Sequence, residues 1–295
     1  VNVGQSPALI AGGVEMMSRV PLLADGARVF ADHNFGVEHH VLLMGAGADL
    51  IATRVGATRE DCDEVAFLSH QRALAAQREK RFSSIVSINT SQGGITEDEC
   101  IRASLTRERL ADMPLAFAEL GAAGSDDVQL AAFGSLGAIS HVHTAANSPA
   151  MCDAAAVLLV GDESMLGRLS VFPKVEIIDS VTCGAEPLEV VSGCVTATAE
   201  IMRRNGLSTA DVDVFEIHEA FAATIVKLTR ELDLSLDKVN VNGGCIALGH
   251  PMGATGAIMV GTAIDELYRS DGELAVVAAS GAAGSGSALL LRRCD

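Results

Sequence analysis

Aromatic residues are scarce in this sequence. There is no tryptophan and one tyrosine, and the aromatic share is 3% of 295 residues. Stacking platforms for single-stranded nucleic acid or sugar rings are therefore poorly supplied. Positive charge is also short: 21 Lys and Arg stand against 38 Asp and Glu, a formal net charge of −17. A field of that sign repels polyanions, so nucleic acid and anionic membrane surfaces are excluded as expected partners. A small anionic ligand would need local Arg, Lys or backbone amides. Closely spaced cysteine pairs are missing as well. Cys62, Cys100, Cys152, Cys183, Cys194, Cys245 and Cys294 are odd in number and none lie in C-x-x-C spacing. That pattern reads as reduced thiols of a cytoplasmic protein, with neither a disulfide framework nor a zinc site. Long apolar runs are absent too. The uncharged stretches 239–264 and 274–291 are dense in Gly, Ser or Asn, whereas a spanning helix wants about 20 mostly apolar residues. No signal-peptide pattern is visible.

What remains is ordinary globular composition, 49% apolar and 20% charged, which excludes disorder for most of the chain. Residues 7–13 form an apolar run ended by glycines, as does 154–160 without them, and both read as buried strands. Residues 14–47 look irregular. Residues 48–80 look helical, with Thr58-Arg-Glu-Asp as a capping start. Residues 81–143 read as a surface subdomain. From 171 the pattern becomes regular: strand candidates at 175–179, 212–217, 274–279 and 288–292, and helices at 187–205, 219–232 and from about 257 to 269. The helix at 187–205 is stopped by Asn205-Gly206. Alternation with short loops predicts a layered α/β domain for 171–295.

Three segments of this second half carry chemistry. They are His218-Glu219-Ala220-Phe221-Ala222, the glycine-rich run from Asn242 to Gly256 containing Gly249-His250-Pro251, and Ser280-Gly-Ala-Ala-Gly-Ser-Gly. Each falls where a strand ends, and loops beyond strand ends of open α/β sheets converge on ligand crevices. Proline after His250 restricts its backbone, and the glycines allow close approach to a ligand. A neutral imidazole accepts a proton from a nucleophile or donates to a developing oxyanion. The pattern points to acyl transfer or to carbanion chemistry beside a carbonyl. Plainer readings stand beside it. A lone histidine at a strand end is more often structural, the third loop alone also suits a tight turn, and Cys245 among small neighbours suits packing. His141 and His143 lack a third ligand for a metal.

These motifs resemble the thiolase family over residues 7 to 292. Ala8-Leu-Ile-Ala-Gly-Gly-Val-Glu-Met-Met-Ser is similar to a family segment, as is Thr144-Ala-Ala-Asn-Ser. Asn242 to Gly256 resembles the family signature, and His218-Glu-Ala-Phe looks like the variant with His where many members have Asn. The resemblance implies an acyl-CoA C-acyltransferase, working by thiolysis of 3-ketoacyl-CoA or Claisen condensation, with the coenzyme A thioester as substrate and no separate cofactor. It implies His250 as the activating base and oxyanion donor, and His218 as the residue that orients a water. Phe221 and Ser148 would line the coenzyme A site. Ser280 stands where the family has its acid/base cysteine, Ala282 where many members have glycine, and Asp153-Ala154 where Asp-Gly is usual. The family's nucleophilic cysteine precedes the Ala-Gly-Gly segment, a position before Val1.

The resulting expectation is a thiolase-like layered α/β fold with a complete C-terminal half, 164–295, and a partial N-terminal half, 1–163. The latter would hold a lid-like excursion from about 20 to 143. The chain is expected to bind acyl-CoA but to be inactive or incomplete by itself, the alternative being a degenerate acyl-CoA-binding homologue. It is expected to form a homo-oligomer or to meet a partner supplying the missing N-terminal part.

Overall fold

In the computed structural model, residues 1, 6–91, 93–165 and 173–294 are described. The expected start of the regular pattern at 171 lies outside them. The chain opens with strand β1 (Ala8–Met16), then short helices α1 (Arg28–Ala31) and α2 (His33–Glu38). Helices α3 (Met44–Val55) and α4 (Arg59–Arg78) follow, then the hairpin β2 (Ile88–Thr90) and β3 (Gly93–Ile95). Short helices α5 (Arg107–Ala111), α6 (Ala118–Leu120) and α7 (Asp126–Ala132) lead to β4 (Asp153–Gly161). The remainder runs β5 (Val175–Gly184), α8 (Gly193–Arg204), β6 (Val214–Ile217), α9 (Ala222–Leu232), α10 (Cys245–Leu248), α11 (Met252–Ser270), β7 (Leu274–Ser280) and β8 (Ser285–Arg293).

The central sheet has the order β5-β8-β7-β6, with β6 and β7 parallel and the other pairs antiparallel. Its inner strand β7 is a run of Leu, Val and Ala ending at Ser280, and β6 is buried on both faces. That burial pattern marks a strand covered by helices on each side. Helix α8 packs on one face of the sheet and α11 on the other. On its far side α11 meets a second sheet, the antiparallel pair β1–β4, in register from Ala8 opposite Gly161 to Met16 opposite Asp153. The small residues of Met252-Gly-Ala-Thr-Gly-Ala allow this double approach. Gly13 lies so close to α11 that a Cβ there would be driven into the Gly253 carbonyl.

Two expectations about the first half change. The runs at 7–13 and 154–160 are strands, but they are not buried on both sides. Ile10 and Val157 are each 74% exposed and Val14 66%, because α11 packs on the strand pair from one side and β4 alternates half-buried with exposed residues. The stretch expected as a lid-like excursion contains core. Leu50, Ile51, Cys62, Val65 and Ala66 of α3 and α4 share one hydrophobic cluster with Phe215, Ile225 and Leu228 of the second half. The helical reading of 48–80 becomes two helices, because Gly56 at φ 65 ends α3 in the left-handed conformation that glycine adopts without penalty. Thr58 then starts α4. Its hydroxyl accepts from the Asp61 amide at 3.1 Å while its own amide donates to Asp61 Oδ2 at 2.9 Å, a reciprocal cap. Expected helices at 187 and 219 begin later, at Gly193 and Ala222. No helix of the described residues is long and apolar enough to cross a membrane.

Candidate functional site

Two of the three chemistry-bearing segments begin from the C-terminal ends of the parallel neighbours β6 and β7. His218 follows β6, and its amide donates to the Ala278 carbonyl of β7 at 2.9 Å, extending the ladder one residue beyond the strand. Ser280 ends β7. Between β6 and β7 in sequence, the glycine-rich run folds back over the same edge. Asn240, at φ 48, holds it there: its amide side chain accepts from Ile217 N at 2.7 Å and donates to Ile217 O at 2.8 Å.

Glu219 ties the first segment to the second. Its buried carboxylate accepts from Ser69 Oγ at 2.8 Å, Ile246 N at 2.9 Å and Asn240 Nδ2 at 3.0 Å. Burial pushes this acid above the usual carboxylate range, and those donors work against the rise. The Ser69 hydroxyl also accepts from Gly244 N at 3.1 Å. Gly244 must be glycine, since a Cβ there would collide with the Glu219 carboxylate.

The result places the rings of His218 and His250 with centroids 4.4 Å apart, tilted by 43°. His218 is 3% exposed, and neither ring nitrogen has a hydrogen-bond partner in the protein. Burial, then the neighbouring His250, lowers its pKa to about 3; the Ser280 backbone favours the charged form without completing a bond. Burial also lowers His250 to about 4, against an opposing attraction from Glu15. Both imidazoles are therefore neutral near pH 7. Thr255 Oγ1 engages His250 Nδ1 at 2.8 Å, which leaves Nε2 as the ring atom available for chemistry. The His250 amide donates to Ala150 O at 2.7 Å, joining this loop to the first half. Glu15, from the Ala-Gly-Gly segment, accepts from Gly253 N at 3.2 Å.

Cys245 completes the cluster. Its sulfur and one nitrogen of each histidine lie within 4.8 Å of one another. Such a soft N, N, S set is the kind that could hold a zinc-class ion. The thiol is buried and pushed well above its ordinary pKa, so without a cation it stays protonated.

The other expected residues sit differently. Ser280 Oγ accepts from Cys194 N at 2.8 Å, at the start of α8, so its hydroxyl oxygen is committed to a helix terminus. Phe221 is 8% exposed and packs edge-on to Phe117, centroids 5.7 Å apart, and to His143, 5.4 Å apart. Ser148 Oγ donates to Thr144 O at 2.7 Å. The Ser148 and Phe221 segments meet where the Ala222 amide donates to Asn147 O at 3.2 Å. His141 and His143 are not a metal pair. Their Nδ1 atoms both engage the buried carboxylate of Asp49, at 2.8 and 2.7 Å, and His141 Nε2 also lies 3.2 Å from Asp126. Burial alone would raise Asp49, but the two histidines and the Val142 amide outweigh it and hold this acid below its ordinary value.

Fold and site together define a thiolase architecture: a histidine pair at the carboxyl edge of a layered α/β sheet, with a glycine-rich run folded over it. The thiolase N-terminal domain family matches residues 1–164 and the thiolase C-terminal domain family residues 171–293. A 3-oxoadipyl-CoA/3-oxo-5,6-dehydrosuberyl-CoA thiolase of Escherichia coli K12 is 33% identical over 317 residues, covering 99% of this chain and 74% of the relative. A 3-ketoacyl-CoA thiolase of Idiomarina loihiensis is also 33% identical, over 98% of this chain and 72% of the relative. The crystal structure of human mitochondrial 3-ketoacyl-CoA thiolase superposes with TM-score 0.82 at 28% identity, covering 99% of this chain and 73% of that one. A second structure of the human enzyme, in complex with CoA, matches equally well. The chain belongs to the thiolase family of acyltransferases.

Proposed function

We propose that this site binds an acyl-CoA thioester, with His250 and His218 facing the thioester carbonyl, and that the chain by itself does not complete a thiolase cycle. The observation that carries the reading is the pair of adjacent neutral imidazoles. Each can accept a proton from an attacking thiol or donate to the oxygen on which negative charge develops. His250, oriented by Thr255, is assigned the activating role, and His218, with two unsatisfied ring nitrogens, the role of holding a water in the oxyanion site. Ser148 and Phe221 are assigned to the segment pair that borders the coenzyme A. Coenzyme A enters as substrate, and the chemistry calls for no separate cofactor.

Ser280 supports the second part of the proposal. Transfer to or from a second substrate needs a group that exchanges a proton near neutral pH. A thiol with an ordinary pKa of about 8.5 can do so, whereas a serine hydroxyl is far less acidic and this one is held by Cys194. A degenerate acyl-CoA binder is therefore favoured over a full acyltransferase for this chain alone. We also propose a division into residues 1–163 and 164–295, supported by the positions of the two family matches. A cytoplasmic location is supported by seven free cysteines. Self-association, or a partner covering β1 and β4, is supported by the exposed apolar face of those strands.

The test is titration of the purified chain with acetyl-CoA by calorimetry, alongside condensation and thiolysis assays and intact mass. The expected result is saturable binding, weakened in His250→Ala, without turnover. Turnover together with an acyl adduct on one defined cysteine, lost in His250→Ala, would show that the chain is a complete enzyme. Absence of binding would remove the acyl-CoA reading altogether.

A further inference from the structure

Gly249, the residue before His250, has φ +92 and lies beneath two sulfur atoms. A Cβ placed on it would stand 2.5 Å from Cys152 Sγ and 3.3 Å from Cys100 Sγ. The two thiols come from segments far apart in sequence, and each segment is anchored. The Arg102 amide donates to His70 Nδ1 at 3.1 Å, pinning the Cys100 segment onto α4. Cys152 sits between Ala150, whose carbonyl accepts the His250 amide, and Asp153, whose carboxylate accepts from Ser18 N at 2.9 Å. Both cysteines are half-buried, unlike Cys62, Cys194 and Cys245.

The thiols are near enough for one to donate a hydrogen bond to the other, and the pair splits their acidities. The bond from Cys152, outweighing burial and the acids Asp98 and Glu99, lowers Cys100 to about 7, while Cys152 is pushed far up by the same bond and by burial. Near neutral pH, Cys100 thus has substantial thiolate character and Cys152 stays a thiol. A thiolate is the form that attacks an oxidant, and a thiol beside it resolves the product.

We propose that Cys100 and Cys152 form a redox-active dithiol that closes to an intramolecular disulfide across Gly249, with a peroxide as oxidant. The Cys100 thiolate attacks one peroxide oxygen, the O–O bond breaks, and the leaving hydroxide takes a proton to become water. Cys100 is then a sulfenic acid. Cys152 attacks that sulfur, the S–S bond forms and the S–O bond breaks. The departing hydroxide takes the Cys152 proton as a second water. Two thiols are oxidised and one hydrogen peroxide is reduced. The disulfide ties the segments at 100 and 152 together next to the His250 loop. Its formation does not rest on the proposed acyl-CoA reading.

The experiment is treatment of the whole chain with hydrogen peroxide at pH 7, followed by trypsin digestion without reductant and peptide mass analysis. The expected product joins Phe82–Arg102 to Leu110–Arg168, with the mass of two hydrogens lost. In Cys152→Ser, oxidation of Cys100 is expected to stop at a sulfenic acid that dimedone traps. Alkylation of Cys100 should rise with pH through a midpoint near 7, and at pH 7 should be roughly tenfold or more faster than at buried Cys62. Failure to form the linked peptide while other thiols oxidise overturns the proposal. So does alkylation of Cys100 no faster than that of Cys62.

Discussion

The Glu219 carboxylate accepts a hydrogen bond from the Ile246 amide at 2.9 Å, so the residue after His218 fixes the helix turn that leads into Gly249-His250. The histidine pair depends on this bridge. In Glu219→Gln, the amide side chain presents one acceptor where the carboxylate presents two, and Ser69, Ile246 and Asn240 can no longer all be satisfied. A loss of about 1–3 kcal/mol is expected from a buried donor left unpaired. Denaturant unfolding of the two proteins measures it. A loss indistinguishable from zero would show that the bridge contributes nothing to the loop.

Thr255→Val keeps the size of the side chain while removing its hydrogen bond to His250 Nδ1. Stability should change by only about 0.5–1.5 kcal/mol, the net worth of one hydrogen bond. The His250 resonance in NMR titration should move, because the ring loses its orienting partner. An unchanged titration curve in the variant would count against a positioning role for Thr255.

Acid should unfold this protein early. His218, His250 and His70 have native pKa values of about 3, 4 and 4, against about 6.5 in the unfolded chain. Between those values the unfolded state binds more protons, so the stability these residues contribute is present above pH 6.5 and lost as pH falls toward 4 and then 3. Melting temperature followed from pH 7 to pH 4 is expected to fall steadily. His70→Gln should flatten that fall, and an equal slope in the variant would remove His70 from the account.

His141 and Asp49 work in opposite directions. His141 is raised above its ordinary value, by Asp49 and Asp126 acting against burial. Its contribution is complete below pH 6.5 and is lost as pH rises through the higher native pKa. Asp49 is lowered, and its contribution is lost as pH falls below the ordinary carboxylate range. Asp49→Asn should cost several kcal/mol, on the order of the 3–5 kcal/mol seen when one partner of a buried ionic group is removed. Thermal melts at pH 6 measure the loss; a drop of only a few degrees would mean that the cluster is spare.

Gly13→Ala is expected to destabilise strongly, by about 3 kcal/mol or more, because β1 must back away from the Gly253 carbonyl. Gly137→Ala, where the added methyl meets nothing, is the control and should be neutral within about 0.5 kcal/mol. Equal stability of the two variants would mean that β1 does not need its tight seat on α11.

Much of the second half is legible in the residues themselves. Asn205-Gly206 marks the end of α8, and Gly206 at φ 65 shows why. The reciprocal cap at Thr58 is likewise a local signal that the structure repeats. The segments bearing His218 and Ser280 lie at strand ends, as their alternation with apolar runs implies, whereas His250 lies in the link between α10 and α11. Long-range facts are not legible. Whether an apolar run such as 154–160 is covered on both faces depends on which distant elements pack on each face, here α11 on one side. Cys245 reads as packing because its small neighbours say nothing of the two imidazoles folded against it. Glu219 and Asn240, which build the site, look like ordinary polar residues until Ser69 and Ile246 are brought to them. Ser280 carries the reverse lesson: it is at the expected strand end, but its hydroxyl serves the start of α8.

Helix α11 is shared property. Its Met259, Val260, Ala263 and Leu267 belong to the apolar layer beneath the central sheet, while its first turn carries β1 on Gly253. The helix packs against both sheets, so loss of either uncovers part of its surface. The two halves matched by separate family domains are expected to unfold together, in a single calorimetric transition, and two resolved transitions would show that α11 does not couple them. A ligand seated at His250 would then stabilise strand β1 as firmly as it stabilises the loop it touches.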